Sequence, residues 1–421
     1  MEGGSVVQLF LALGLIIGAA QLAGSAARSV GQPRVFGELL AGVFLGPTLL
    51  NLLHWGIFDN PEMLGHTIKE LAELGVLFLM FAVGLEVHLP ELLSVGKVAI
   101  LGGTLGAVLP LVASIPIVAP FGYSVETAIF VGVVMSATSV SISAQTLLEL
   151  GVLRTKEGVG LLAMAVADDI LAILLVSIVI ATLGPNTEAA SVGELLWIFV
   201  RMMLYLAGAL LVAWFVLPRL FAWLHRRTQF TQSMAAFALI AALLFGWSAE
   251  VLGGVAAITG AFITGMGLSR TTERIRHQIE NAVRPISYSF LVPIFFVNVG
   301  LQTDLTSIGG DMIPLAILLL VVAVVTKVVG CGFGARLGGF TSGESLRVGV
   351  CMISRGEVGL IIASLLLSAG MLEQRLFEPV FLVILLTTVI TPPLVRLVFR
   401  NYPTAIDPGP PRTARDTAAE V

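Results

Sequence analysis

Asp168 and Asp169 stand side by side in the middle of an apolar run that extends from Gly160 to Leu175. A charge at bilayer depth costs about 3 kcal/mol on insertion scales unless it is paired or hydrated, so each such residue needs a reason. Lys327 sits mid-run between Val321 and Gly330 and is the one lysine so placed. Neighbouring residues on a helix point about 100° apart, so the two aspartates cannot both address one partner. One can pair with Lys327 while the other faces an aqueous cavity. The plain alternative is a static ion pair with an incidental second carboxylate. A buried pair rarely improves on apolar packing, and that alternative gives the second carboxylate no use. The chemistry that suits the arrangement is a carboxylate that holds a proton and a cation by turns.

Two further stretches bear on that chemistry. Ser136, Thr138, Ser139, Ser141 and Ser143 place five hydroxyls within eight residues. Such residues form helices poorly and offer oxygen ligands, which suggests an unwound segment able to replace a cation's hydration shell. Hydroxyls in membrane helices also bond back to their own helix or to a neighbour, and on this stretch alone the two readings weigh equally. Ser354, Arg355, Gly356, Glu357, Val358 and Gly359 form the second stretch. Arg355 and Glu357 either handle ions or pair to neutralise the ends of broken helices, with support the favoured role. Glu38 reads as an interfacial or interhelical residue. His54, His66 and His88 lie near membrane edges, and His225 and His277 fall in connections; none clusters like metal ligands.

The elements that must carry these residues are transmembrane helices. Of the 421 residues 57% are hydrophobic and only 12% charged, far below the quarter typical of a soluble domain. The apolar runs have the length of membrane-crossing helices, with helical rather than alternating patterning, which excludes a β-barrel and fixes an all-α polytopic fold. About thirteen spans result: 6–26, 34–50, 68–87, 95–119, 126–149, 158–183, 195–221, 230–250, 253–269, 284–302, 312–336, 345–370 and 376–399. Cys331 and Cys351 lie in apolar segments without metal-ligand spacing, and no disulfide is expected. The first span has no basic flank and reads as a retained helix. The tail 403–421 is polar and proline-rich, expected to be disordered, and no nucleotide-binding regulatory domain follows it.

Lys and Arg are distributed unevenly. Eighteen fall on the connections inside an N-out, C-in topology, three outside and two within spans. An internal repeat is also visible. Val83, Gly84, Leu85 and Leu89 of the third span recur as Val299, Gly300, Leu301 and Leu305 of the tenth. Gly37 and Gly42 of the second are echoed by Gly260 and Gly265 of the ninth. The shared offset of seven helices is odd, so the repeat is inverted in topology. It relates the hydroxyl-rich fifth span to the Arg355 region of the twelfth, and paired discontinuous helices mark a transporter site.

With these motifs in hand, the chain resembles sodium/proton antiporters of the monovalent cation:proton antiporter-2 family over its whole length. The resemblance rests on 37–42 with Leu45, Gly46 and Pro47, on 81–86, on 137–140, on Asp168 and Asp169, on Lys327, and on 355–360. It implies a thirteen-helix homodimer in the bacterial inner membrane. A transmembrane domain over 1–402 would contain a core of helices near 95–183 and 312–399 that slides, elevator-like, against a dimerisation scaffold. Broken helices 5 and 12 would cross at the site. Asp169 would be the principal ligand for cation and proton, assisted by Asp168, Thr138 and Ser139, with Lys327 paired to Asp168 when no cation is bound. The family's potassium-efflux branch has glutamine at the first aspartate and a large regulatory domain, and the sequence differs in both.

The expected activity is exchange of sodium, or lithium, for protons. A cation entering between the carboxylates displaces the Asp169 proton and competes for Asp168, and Lys327, left in an apolar region, sheds its own proton, making exchange electrogenic. Potassium/proton exchange is the alternative, and a sodium-coupled organic-anion symporter of the same architecture is a more distant one. A channel would conduct without counter-transport. No nucleophile–base pair marks an enzyme, no cofactor is expected, and the partners are the bilayer and a second copy, not nucleic acid.

Overall fold

The computed structural model describes residues 2–87, 89–183, 192–227, 231–302, 310–400 and 402. His88, Leu305 and the tail 403–421 lie outside the described residues, as does the side chain of Glu357. All regular structure among them is helical. The first half comprises α1 (Glu2–Ser29), α2 (Arg34–Leu45), α3 (Pro61–Glu86), α4 (Leu89–Ser94), α5 (Gly96–Val118), α6 (Val125–Ser136), α7 (Val140–Glu149) and α8 (Lys156–Leu183). Then come α9 (Val192–Leu211), α10 (Leu217–Arg227), α11 (Thr231–Ser248), α12 (Ala257–Leu268) and α13 (Glu273–Ile286). The chain closes with α14 (Val292–Leu301), α15 (Ile313–Leu337), α16 (Ser342–Cys351), α17 (Gly356–Ser368) and α18 (Gln374–Phe399).

Among the described residues nine helical stretches are long and apolar enough to cross a membrane. The four remaining spans correspond to α2, to α3, to α12 and to α16 with α17. Some boundaries differ from the sequence reading. The third span starts earlier, at Pro61, where Asn60 caps the helix by accepting a 3.1 Å hydrogen bond from the Met63 N–H. The tenth span is preceded by α13, which places His277 on a helix rather than in a connection, and α10 does the same for His225. Both helices are rich in charge, so apolar length alone did not mark them. Yet Ile275, Ile279 and Val283 recur every four residues and bury one stripe of α13. Short π-helical turns at Val212–Val216 and Ser287–Leu291 join these charged helices to the apolar ones.

The helices pack in two groups. α5 lies along α15, and α6, α7, α8, α16, α17 and α18 gather around that pair. α3 lies along α12 and α14, with α1, α2, α11 and α13 around them. Between the groups the contacts are fewer, chiefly α7 against α2 and α3 and α18 against α2.

The inverted repeat appears as two equivalent crossings. Where α3 meets α12, a Cβ on Gly84 would lie 2.3 Å from the Phe262 carbonyl oxygen, and one on Gly265 2.1 Å from that of Phe81. Where α14 meets α2, a Cβ on Gly42 would lie 2.2 Å from the Val297 oxygen, and one on Gly300 2.3 Å from the Val43 nitrogen. Exchanging the second helix for the ninth span and the third for the tenth turns one crossing into the other. The glycine echoes are thus the backbone-to-backbone contacts of one motif used twice.

Candidate functional site

The two hydroxyl- and arginine-bearing spans are both broken near the middle of their length. Ser124 caps α6, accepting from the Thr127 N–H at 3.2 Å, and Thr341 caps α16 through a reciprocal box with Glu344. Each helix starts cleanly at its outer end and stops at an unwound stretch, 137–139 in one case and 352–355 in the other. The two breaks pack on each other. The Ser139 N–H donates to the Ser354 carbonyl at 2.8 Å, and the Ser143 hydroxyl donates to the Cys351 carbonyl at 2.5 Å. A Cβ on Gly356 would meet the Ser139 Oγ at 2.8 Å, so only glycine leaves room for this crossing.

Arg355 lies wholly buried between the breaks. Its guanidinium donates to the carbonyls of Met135, Ile353 and Ala323, each at 2.8 Å. Met135 belongs to the last turn of α6, whose C-terminal carbonyls carry partial negative charge that a cation offsets. That geometry sets the guanidinium against the carbonyls at the broken ends.

α8 passes beside the crossing and presents its two aspartates in different directions. Asp168 faces α15, where Lys327 Nζ stands 3.1 Å from Oδ1 and 3.4 Å from Oδ2, both side chains fully buried. Asp169 is half-buried and turns toward the other group of helices, where the Thr259 hydroxyl of α12 donates to its Oδ2 at 3.2 Å. Asp169 and Thr259 share a cavity of about 10 Å³, room for one water-sized particle, whose other walls include Met80, Val140 and Phe262.

The sequence-derived residues therefore occupy two adjoining places. Asp168 and Lys327 form one, and Asp169 the other. Thr138 and Ser139 lie in the first break and are not walls of the Asp169 cavity. Thr138 Oγ1 is buried with no hydrogen-bond partner among the described residues. Ser139 Oγ is 3.0 Å from Ser141 Oγ.

Thr259 was missed by sequence reasoning. It is one of two hydroxyls in an apolar helix, and nothing local separates it from the other, Thr264, which bonds back to the Gly260 carbonyl at 3.0 Å. A wider cavity was missed too. It measures about 480 Å³ at the arginine-rich end of the molecule and is lined by Arg34, Glu38, Glu86, Glu149, Arg154 and Arg284 among others. There Glu86 of α3 accepts from both Arg154 and Arg284, and Glu149 of α7 accepts from the Arg34 N–H at 2.5 Å.

Comparison with known proteins agrees with this architecture. The family model described as sodium/hydrogen exchanger, transmembrane, matches residues 11–400. The chain is 37% identical over 392 residues to the Na(+)/H(+)-K(+) antiporter GerN of Bacillus cereus, covering 93% of this chain and 96% of GerN. It is 34% identical to a Na(+)/H(+) antiporter of Enterococcus hirae, covering 91% of this chain and 96% of that one. In fold it is similar to the sodium proton antiporter MjNhaP1 of Methanocaldococcus jannaschii, with a TM-score of 0.69, 16% identity, and 93% and 95% of the two chains covered. The chain belongs to the sodium/hydrogen exchanger family.

Proposed function

We propose that the protein exchanges a monovalent cation, sodium first and lithium also, for protons, with Asp169 as the shared carrier. The observation that carries this reading is the division of labour on α8, where a lysine-paired carboxylate adjoins one that lines a cavity. Cation and proton compete for the Asp169 oxygens, so binding one expels the other. Asp168 keeps Lys327 charged until a cation draws the Asp168 carboxylate away. A lysine so abandoned cannot hold its charge in an apolar interior and gives up its proton. More than one proton then leaves per cation, and exchange is electrogenic.

Within this reading the protein falls in the cation:proton antiporter-2 branch. The α5–α8 and α15–α18 group carries the site past the scaffold, and a second copy binds the scaffold. The 480 Å³ cavity opens to the cytoplasm, which matches the concentration of Lys and Arg at that end. The C-terminus is then cytoplasmic and the N-terminus outside. Potassium is the second ion to test, because GerN carries it in its name. An organic-anion symporter fits poorly, because a cavity of about 10 Å³ beside Asp169 has room for an ion or a water and no more.

The test is proton flux in proteoliposomes after addition of sodium, lithium or potassium, for wild type and Asp169→Asn. Cation-triggered proton movement that disappears in the variant supports the reading and ranks the ions. Movement that persists in the variant removes Asp169 from the role.

A further inference from the structure

Thr259 reaches Asp169 from outside the group of helices that carries the aspartate. It belongs to α12, which packs along α3 and against α11, whereas Asp169 rides on α8, which packs against α5, α6, α7 and α16. We propose that the Thr259 hydroxyl is a cation ligand supplied by the scaffold, so that the transported ion bridges the two groups of helices at this position of the core. The inference rests on Asp169 being the carrier, as argued above.

Three observations support it. The cavity beside Asp169 is the size of one small particle, and both Asp169 and Thr259 line it. The other side chains named on its walls, Met80, Val140, Leu162, Val166, Ile258 and Phe262 among them, offer a cation no oxygen. The two side-chain oxygens stand 3.2 Å apart. An ion about 2.4 Å from each, the oxygen distance of a cation of calcium's size, would see them about 84° apart, near the right angle between neighbouring ligands of an octahedron. Their present hydrogen bond and a shared cation use the same oxygens, so the hydroxyl rotates from donor to ligand without moving its helix.

A hydroxyl that merely satisfies itself on Asp169 would occupy the same place, and kinetics separates the two. Thr259→Val keeps the shape and removes the oxygen, whereas Thr259→Ser keeps the oxygen. Sodium-driven proton flux is measured in proteoliposomes over a range of sodium concentrations. The expected result for Thr259→Val is an apparent sodium KM raised about tenfold, the worth of one contact to a charge, with maximal rate within about twofold. Thr259→Ser restores the wild-type KM. Thr259→Ala serves as a second oxygen-free variant if the valine does not fold, and carries the same expectation.

An unchanged KM overturns the proposal, and so does a fall in maximal rate alone, which marks a packing or movement role. Asp169→Asn run alongside keeps the two levels apart. An inactive Asp169→Asn with a wild-type KM in Thr259→Val sinks this inference and leaves the carrier assignment standing. An active Asp169→Asn sinks the carrier assignment and this inference with it.

Discussion

The two faces of α8 are one residue apart in sequence and opposite in character. Toward α15 everything is dry: Asp168 and Lys327 are buried, bonded to each other, and held within one group of helices. Toward α12 the carboxylate is half-exposed, faces a cavity, and takes a hydrogen bond from a helix of the other group. On the proposed function, the dry face keeps a charge in place and the open face lets one leave. Neither aspartate has to do both jobs, and the 100° between successive helical residues is what separates them.

The most severe way to break this contrast is Asp169→Asn. Exchange is expected to fall to background, with the melting temperature close to wild type, because an amide fills the same space and still accepts from Thr259. An unstable Asp169→Asn would show that the open face also holds the fold together. Lys327→Ala acts on the other side and is expected to show first in stability. It strands the Asp168 carboxylate without its cation, at a cost of about 3–5 kcal/mol, read as a lower thermal or denaturant midpoint in detergent. Removing both charges together, as Asp168→Leu with Lys327→Met, should recover most of that stability while charge-moving exchange stays lost. A double variant as unstable as Lys327→Ala would mean that the pair contributes more to the fold than a dry ion pair can. Stable but electroneutral exchange in the single variant would sharpen the assignment of the extra proton to Lys327.

How much of this was legible beforehand depends on whether a feature is local. Span length, charges at mid-depth and the clusters 136–143 and 354–359 are properties of short windows, and the helices, both breaks and the α8 aspartates follow from them. The glycine echoes were legible because close backbone crossings admit no side chain, and Gly42, Gly84, Gly265 and Gly300 pack as two copies of one crossing. Thr259 was illegible because its partner is ninety positions away and a hydroxyl in an apolar helix ordinarily bonds to its own backbone. Likewise α13 was read as a connection, because its charges hide a stripe of only three buried apolar residues. The pairing of Glu86 with both Arg154 and Arg284 joins three segments that meet only in the folded chain.

That last cluster extends the contrast to the arginine-rich end, and yields the smallest effect. Arg154 follows α7, in the group that carries the aspartates, while Glu86 and Arg284 belong to α3 and α13 on the other side. The Arg154–Glu86 pair is therefore a contact across the seam, and any sliding of one group past the other must break it. Both arginines are about half exposed, at 54% and 51%, so water and salt screen the attraction. An exposed ion pair contributes about 0–1 kcal/mol. Glu86→Gln should accordingly leave the melting temperature almost unchanged and alter the maximal exchange rate no more than about fivefold, since 1 kcal/mol corresponds to roughly that factor. The rate difference from wild type should shrink as ionic strength rises, because screening weakens the same pair in the unmodified protein. Choline chloride can supply that ionic strength without adding a transported alkali cation. A rate difference that ignores salt would show that Glu86 acts through the shape of the cavity instead. A large loss of stability would show that this end, like the Asp168 face, holds the two groups together rather than letting them part.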